Sequence, residues 1–587
     1  LFNSRVFVAT NRTVEKRNLI FEHESLGELI EPAVAKRKRS LQRADELWGK
    51  AADGLKQAGM EVFFAADAAG ARGYVSERIP TGSLVVKGKS LTTEEIELRQ
   101  WIEAGGSEVL ETDLGEWIIQ QRGELPSHLI VPAIHLDAAQ VAAMIERRLG
   151  KQLERDPEVI TGFIRAHLRE KFLRADIGIT GANFVTADPA MLCMVSNEGN
   201  VSLTLRLPKT LFIVVGYDRI YDDTRGLEDV QRLLTASATG QPYTSYLDVV
   251  RSPLPHQTVH VVVLDNGRRE LLSSELAEAG RCVRCASCLN VCPVYQEVGG
   301  HVFGKVYHGG IGSLLTAFTG DRQDASRIAS LCLRCSTCEP LCPMQIPISK
   351  LVSVASKNLK RQPILDHALK RILSHKPKEA GGRSAVFIGC AFRTPLLRKD
   401  TRAIRDAVDR YLTGATVIDD GCCGMPHFTK GLEQDSSERY SKLAEDLRQF
   451  DEVHVPCASC YSFLAPRLGE RVKLLSITLA KEIGRAPRSG EVCYHSPCHL
   501  KQGAGKSEHD ALAELIGFAP WNEEDRCCGG GGLYFLEHPR ISAQILRRKM
   551  TDHDRAATIV TSCPSCLMQL RRKHPSARVV HPLRLLL

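Results

Sequence analysis

A chain of 587 residues is too long for one hydrophobic core, and at about 150 residues per domain it predicts three to four domains. With 43% hydrophobic and 25% charged residues, the composition is that of ordinary globular protein and excludes wholesale disorder and a membrane class. The net charge of +8 counts every thiol as neutral, and metal-bound thiolates would offset it, so it carries no nucleic-acid signal.

The first residues, LFNSRVFVATNRTVEKRNL, place charges where a signal peptide would carry its apolar stretch, so export is not predicted. The chain does not open on Met, and what precedes Leu1 is left open. The longest apolar runs, LFIVV at 211–215 and VHVVVL at 259–264, are strand-sized and far below the ~20 residues of a membrane span. Residues 1–60, including AKRKRSLQRADELWGKAADGLKQAG, predict a helical segment with solvated faces and an apolar stripe.

Over 61–275, EVFFA, SLVVKG, HLIVPAI and TLFIVVGY read as strands between helical stretches, which predicts an α/β domain with a largely parallel sheet. No GxGxxG follows a strand, and GITGAN at 178–183 lacks the dinucleotide spacing, so nothing here points to NAD or flavin. Polar residues gather in VVKGKSLTTEEI, ETDLGEWIIQQRGELPSHLIVPAIHL, GITGAN and SNEGN. These stretches resemble the lactate-utilization domain of bacterial lactate-oxidation iron–sulfur proteins, over about residues 60–270. The resemblance implies an α/β fold of the sugar-phosphate isomerase and CoA-transferase type. ADPAML at 187–192 departs from the AETG-like turn more usual in that family.

Within the resemblance, Lys87, Lys89, Glu94, Glu111, Asp113, Arg122, His128, His135, Asn183, Glu198 and Asn200 are candidates to line a pocket. Lys87, Lys89, Arg122 and His128 are the catalytic candidates, since cations hold a small carboxylate and an imidazole exchanges a proton. The alternative for each is a loop cap or a salt bridge at a sheet end. Cys193, in MLCMV, reads as a core thiol.

Of the 20 cysteines, Cys193 alone precedes residue 282, and a patterned series in a large chain without a signal peptide predicts metal rather than disulfides. CVRCASCLNVCP at 282–293 and CLRCSTCEPLCP at 332–343 both read CxxCxxCxxxCP. At this spacing three thiolates grip one cubane and the fourth, before proline, reaches the other. One [4Fe-4S] cluster is therefore assigned to Cys282, Cys285, Cys288 and Cys342, and a second to Cys332, Cys335, Cys338 and Cys292. A pair of zinc sites is the lesser alternative, because zinc takes four ligands and has no use for the duplicated third cysteine. The stretch GGIGSLLTAFTGDRQDASRIASL between the motifs looks helical toward its end, and the module, 276–350, resembles helical two-cluster ferredoxins of respiratory dehydrogenases.

After a linker at 351–384 the sequence repeats itself, over 385–485 and 486–587. Cys390, Cys422, Cys423, Cys457 and Cys460 correspond to Cys498, Cys527, Cys528, Cys563 and Cys566, and HVPCASCYSFL matches IVTSCPSCLMQL. Five sulfurs are one more than tetrahedral zinc accepts. The spacing resembles the cysteine-rich CCG domain of heterodisulfide reductase subunits and of the iron–sulfur subunits of glycolate oxidase and anaerobic glycerol-3-phosphate dehydrogenase. That resemblance implies tandem α/β domains, each with a further [4Fe-4S] cluster, non-cubane in some members, with zinc open for one copy. His495 and His499 flank Cys498 and read as ligands, proton donors or, more simply, structural or surface histidines. GAGKS at 503–507 lacks the leading glycine of a P-loop, Leu500 standing in its place, and GGGG at 529–532 reads as close packing on a cluster.

The expected architecture is thus multidomain, α/β and α. The module order resembles a fusion of two subunits of the bacterial three-protein lactate-oxidation system. It implies an iron–sulfur electron-transfer component of an L-lactate or other 2-hydroxy-acid oxidation complex, an oxidoreductase subunit that is cytoplasmic or peripheral on the inner face of the membrane. Removal of two electrons from a hydroxy acid usually needs a hydride acceptor, and none is legible. The implied partners are therefore the other subunits of the complex and a flavoprotein, either a 2-hydroxy acid dehydrogenase or an electron-transfer flavoprotein, with quinone as an indirect acceptor. The alternative is a thiol–disulfide reductase of the heterodisulfide type.

Overall fold

The computed structural model describes residues 4–356, 383–483, 491–500, 504–521, 525–551, 557–575 and 578–585. Most of the expected linker at 351–384 lies outside them. The chain forms two compact units, one of Leu1–Ala329 with Leu341–Ile348, the other of Ser330–Pro340 with Ser349–Leu587. Cys342 thereby joins the first motif's unit, while Cys332, Cys335 and Cys338 join the unit of the repeats.

In the first unit, helices Ser4–His23, Ile30–Gln42 and Ala44–Gln57 fill the N-terminal segment as its charge and apolar spacing predict. The third buries Leu47, Trp48, Ala51 and Leu55 along one face, and Trp48 Nε1 donates to the Tyr217 carbonyl at 2.7 Å. Ten strands follow: β1 (Glu61–Ala65), β2 (Leu84–Lys87), β3 (Glu108–Glu111), β4 (Ile177–Thr180), β5 (Phe184–Asp188), β6 (Ala190–Ser196), β7 (Thr210–Gly216), β8 (Ile220–Asp223), β9 (Tyr246–Val250) and β10 (Thr258–Leu264). Six of them make a parallel sheet in the order β1-β10-β7-β4-β2-β3. The continuous apolar runs of β7 and β10 are buried throughout their centres, as strands covered on both faces must be.

Two features differ from the sequence reading. A second sheet, β8-β5-β6-β9, holds an antiparallel β5–β6 hairpin turned at Asp188-Pro189, in the ADPAML stretch. Its strands are apolar on both faces, so their pattern is indistinguishable from that of parallel core strands. HLIVPAI at 128–134 is a series of turns, not a strand. His128 Nδ1 accepts from the backbone nitrogens of Ile130 and Val131 at 3.2 and 3.1 Å, and Pro132 has no N–H to give a ladder.

The second unit repeats one plan. β11 (Ser384–Phe387), β12 (Thr416–Ile418), β13 (Glu452–Val455) and β14 (Val472–Leu474) form a parallel sheet ordered β12-β11-β13-β14. β15 (Val492–Tyr494), β16 (Thr558–Val560) and β17 (Val579–Val580) form a second parallel sheet in sequence order. Val386, Val453, Ile559 and Leu567 belong to one continuous core shared by both copies. β11, β13, β15 and β16 each run out within four residues of a cysteine of the repeated set. Parallel strands thus deliver the sulfurs at their carboxyl ends, where open α/β sheets form their sites.

Candidate metal centres

The first motif wraps a small cavity of about 30 Å³ whose wall includes Cys282, Cys285, Cys288 and Cys342 together with His308 and Met344. The wrapping is a backbone property. Non-glycine residues rarely take positive φ, yet Arg284 (62°) and Ala286 (61°) do, and Arg334 (52°) and Ser336 (56°) repeat this at the same places in the second motif. The turn aims Arg284 N at Cys282 Sγ, 3.4 Å away.

Burial, then the neighbouring sulfurs, raise the Cys285 and Cys288 thiols well above the ordinary range and push Cys342 up to about 11. Clustered sulfurs removed from water become thiolates only around a cationic core, and four of them at CxxCxxC…CP spacing suit a [4Fe-4S] cluster. The residues fit the group.

An ion network not legible in the sequence anchors this motif to the α/β domain. Asp218, 2% exposed, accepts from Arg284 Nη1 at 2.8 Å and Arg268 Nε at 3.0 Å, with Arg37 at 3.7 Å. Burial opposes its charge, but Arg284, Arg219 and Arg268 outweigh it and hold the carboxyl far below the usual range. Arg268 also donates to both Glu95 oxygens, at 2.9 and 2.8 Å, and Tyr307 donates to Glu95 at 2.7 Å.

In the first repeat, Cys390 and Cys422 Sγ stand 3.7 Å apart, while Cys423 lies in hydrogen-bond reach of Cys460 and Cys460 N donates to Cys457 Sγ at 3.4 Å. The second repeat divides its sulfurs the same way: Cys498 beside Cys527, and Cys528 Sγ 3.5 Å from Cys566 Sγ, with Cys563 beside Cys566. Each doubled cysteine therefore links a pair to a triple, its own two sulfurs being in hydrogen-bond reach of each other. A hydrogen bond to Cys422, with burial, pushes Cys390 well up, while hydrogen bonds from Cys390 and Cys423 pull Cys422 far down against burial.

The glycine after each pair permits this. Gly424 (φ 95°) and Gly529 (φ 78°) donate N–H to Cys422 and Cys527 Sγ, both at 3.4 Å, and a Cβ on Gly424 would meet Ser436 O at 2.6 Å. Gly389 is a further cradle, since a Cβ there would come within 3.2 Å of Cys460 Sγ. Five clustered sulfurs, with backbone N–H groups aimed at them, suit an iron–sulfur core.

Cys335, from the second ferredoxin motif, lies in hydrogen-bond reach of Cys527, which with burial raises its thiol well above the ordinary range. Sequence reasoning had no means to pair these two. It also passed over His427, buried and in hydrogen-bond reach of Cys422, although CCGMPH prints it five residues after that cysteine. His495 is 1% exposed, so the reading of it as a surface histidine is excluded, and Cys193 is a buried thiol as read.

The candidates in the α/β domain separate. At the carboxyl ends of β2 and β3, Lys87, fully buried, donates to Glu94 at 2.5 Å and to Glu111 at 3.0 Å. Burial works against its charge, but Glu111 and Glu94 overcome this and hold the ammonium above the ordinary lysine range. Burial first, opposed by Lys87 and aided by Glu94 and Glu116, pushes Glu111 up to about 8, so one carboxyl of the group keeps its proton at neutral pH. Lys89 donates to the Ile130 carbonyl at 3.0 Å and faces Glu116, absent from the sequence-based set, at 3.5 Å.

Asp113 caps the helix Leu114–Arg122, and Glu198, pushed up to about 7 by burial and by Asp113, accepts from Leu114 N. Arg122 and His135 converge on Glu124 instead, at 2.5 and 3.1 Å. Asn183 Oδ1 accepts from Val195 N, and Asn200 Nδ2 donates to Thr112 Oγ1. His128 is held neutral by burial, its basicity lowered to about 3. Lys87, Lys89, Glu94, Glu111, Asp113 and Glu198 are thus brought together, whereas Arg122 and His135, Asn183 and the backbone-bound His128 serve local structure.

Comparison with known proteins matches three family descriptions to this chain: LUD domain over residues 49–265, 4Fe-4S dicluster domain over 278–346, and cysteine-rich domain over 384–465 and 492–571. A solved DUF162 family protein from Deinococcus radiodurans is 14% identical, covering 38% of this chain and 98% of that one, with a TM-score of 0.23. Lactate utilization protein B of Bacillus cytotoxicus is 38% identical over 339 residues, 56% of this chain and 70% of that protein. The protein of the same name from Bacillus thuringiensis (strain Al Hakam) is 39% identical over the same shares. With two thirds or more of those relatives covered at this identity, the chain belongs to the lactate utilization protein B family.

Proposed function

We propose that this chain is the iron–sulfur electron-transfer component of a complex that oxidises L-lactate or a related 2-hydroxy acid. The observation that carries this reading is the cavity ringed by Cys282, Cys285, Cys288 and Cys342, a ligand set with no other evident use. A [4Fe-4S] cluster, when bound, takes up and releases one electron at a time.

The protein's own part is to hold and insulate. Cys282, Cys285, Cys288 and Cys342 hold the first centre; Cys332, Cys335 and Cys338, with Cys292 supplied by the motif spacing, hold the second. The cysteines of the repeats hold one further centre each. Cys335 in reach of Cys527 supports a short path from the second motif into the second repeat, which makes the repeats the receiving end. Because Lys87 is saturated by carboxylates and His128 Nδ1 is taken up by backbone N–H groups, we assign Lys87, Lys89, Arg122 and His128 to positioning the loops at the sheet ends rather than to hydride chemistry. That step falls to a flavoprotein partner, and the onward acceptor is a quinone or its carrier.

Anaerobic purification with iron and sulfide analysis tests the cofactors: about sixteen irons per chain are expected for four clusters, about eight for the ferredoxin motifs alone. Lactate should then bleach the clusters when the partner flavoprotein is added. Failure to do so with all partners present overturns the reading, and an EPR signal that depends on a disulfide substrate would favour thiol–disulfide reduction instead.

A further inference from the structure

The two repeats are not equal around their sulfurs. In the second, the ligand atoms of His495, Cys528 and Cys566 all lie within 4.8 Å of one another, and all three residues are buried. His495 follows β15, three residues before Cys498, and its backbone N–H donates to Val560 O at 2.9 Å, which fixes it against β16. Its ring stands edge-on to Trp521, 6.5 Å between centroids. The residue three before Cys390 in the first repeat is Phe387, at the end of β11, which has no donor atom.

We propose that His495 is a metal ligand of the second repeat, acting with Cys528 and Cys566. This rests on the reading that the repeats hold metal centres. Cys563 lies outside that 4.8 Å group but in hydrogen-bond reach of Cys566, and as the fourth donor it would make a one-nitrogen, three-sulfur set. Cys498 and Cys527 remain on the side of Cys335.

An imidazole ligates iron or zinc as a neutral group, so a centre held by His495 and three sulfurs carries one negative charge fewer than a centre held by four thiolates. Such a centre is easier to reduce, as in iron–sulfur clusters where histidines stand in for cysteines. The second repeat's centre therefore lies at higher potential than the first's, whose described sulfurs are joined at that strand by a phenylalanine. An electron arriving beside Cys527 is held in the second repeat.

The test uses the whole chain, purified anaerobically with 15N-labelled histidine and reduced stepwise. Pulsed EPR is expected to find one strongly coupled nitrogen, lost in His495→Phe and in His495→Cys but kept in His499→Phe. His495→Cys, which restores a donor, should keep the wild-type metal content and so separates ligand loss from misfolding. A centre with sulfur ligands only, or a coupling that survives His495→Phe, overturns the inference while leaving the electron-transfer reading intact. About one zinc per chain, with an imidazole in its absorption-edge spectrum that His495→Cys removes, upholds the ligand and instead defeats the redox role of that repeat.

Discussion

Ser459 Oγ of the first repeat lies 3.8 Å from Cys563 Sγ of the second. The same hydroxyl is 2.8 Å from His499 Nδ1, so one small side chain between Cys457 and Cys460 reaches the sulfur set of the other copy. A hydrogen bond to a ligand sulfur stabilises the reduced, more negative state of a cluster. Ser459→Ala is therefore expected to move the midpoint potential of the second repeat's centre to a more negative value with no loss of iron. An EPR-monitored redox titration reads this, and an unchanged or more positive potential refutes it.

Cys342 separates the clusters experimentally. Cys342→Ser should remove about four irons per chain, from the first motif's cavity, and leave the remaining EPR signals unchanged. Cys335→Ser should instead perturb the signals of the second motif and of the second repeat together, because Cys335 adjoins Cys527. Metal analysis with EPR of both variants decides the assignment.

Glu111 sets a pH dependence. Its folded-state pKa, near 8, lies above the ordinary 4.5, so between those values the folded chain holds more protons than the unfolded one. Stability from this group is therefore full below about pH 4.5 and falls as pH rises toward 8, by up to about 1.4 kcal/mol per pH unit. Glu111→Gln should flatten the denaturation midpoint over that window and be neutral or stabilising at pH 8. A variant whose stability still declines with the wild-type slope would assign the dependence elsewhere.

Asp218 is the common partner of Arg268 and Arg284, with Arg37 near. Asp218→Asn leaves buried guanidinium groups uncompensated and should cost about 3–5 kcal/mol. Since Arg284 lies inside the first motif, the same variant should also release iron from that motif more readily on mild heating. Calorimetry alongside release of chelatable iron measures both, and a loss below about 1 kcal/mol would mean that the network is not stabilising.

The cysteine motifs, the duplication and the parallel α/β frame were legible because each has a fixed local spacing: CxxCxxCxxxCP, the doubled cysteine, and apolar runs ended by polar loops. What escaped depends on distance in sequence. Asp218 meets Arg284 from 66 residues away, and Cys335 meets Cys527 from farther still, with no local pattern at either end. HLIVPAI misled because three apolar residues before a proline look like a strand, whereas His128 ties its own loop into turns. Lys87 and Lys89 read in sequence as ligands for an anion, but the fold already sets Glu94, Glu111 and Glu116 beside them.

The wall of the first cavity also sets an order of manufacture. Cys282, Cys285 and Cys288 leave the ribosome early, but Cys342, in the same wall, is made only after the whole of the second CxxCxxC run. With Cys292 as one ligand, the second centre has its four cysteines once Cys338 is made, while the first still lacks Cys342, so a product cut short between Cys338 and Cys342 would present one open, three-sulfur site to whatever metal is nearest. Of the two ferredoxin centres, the one whose cysteines begin first is in this sense the last to be completed.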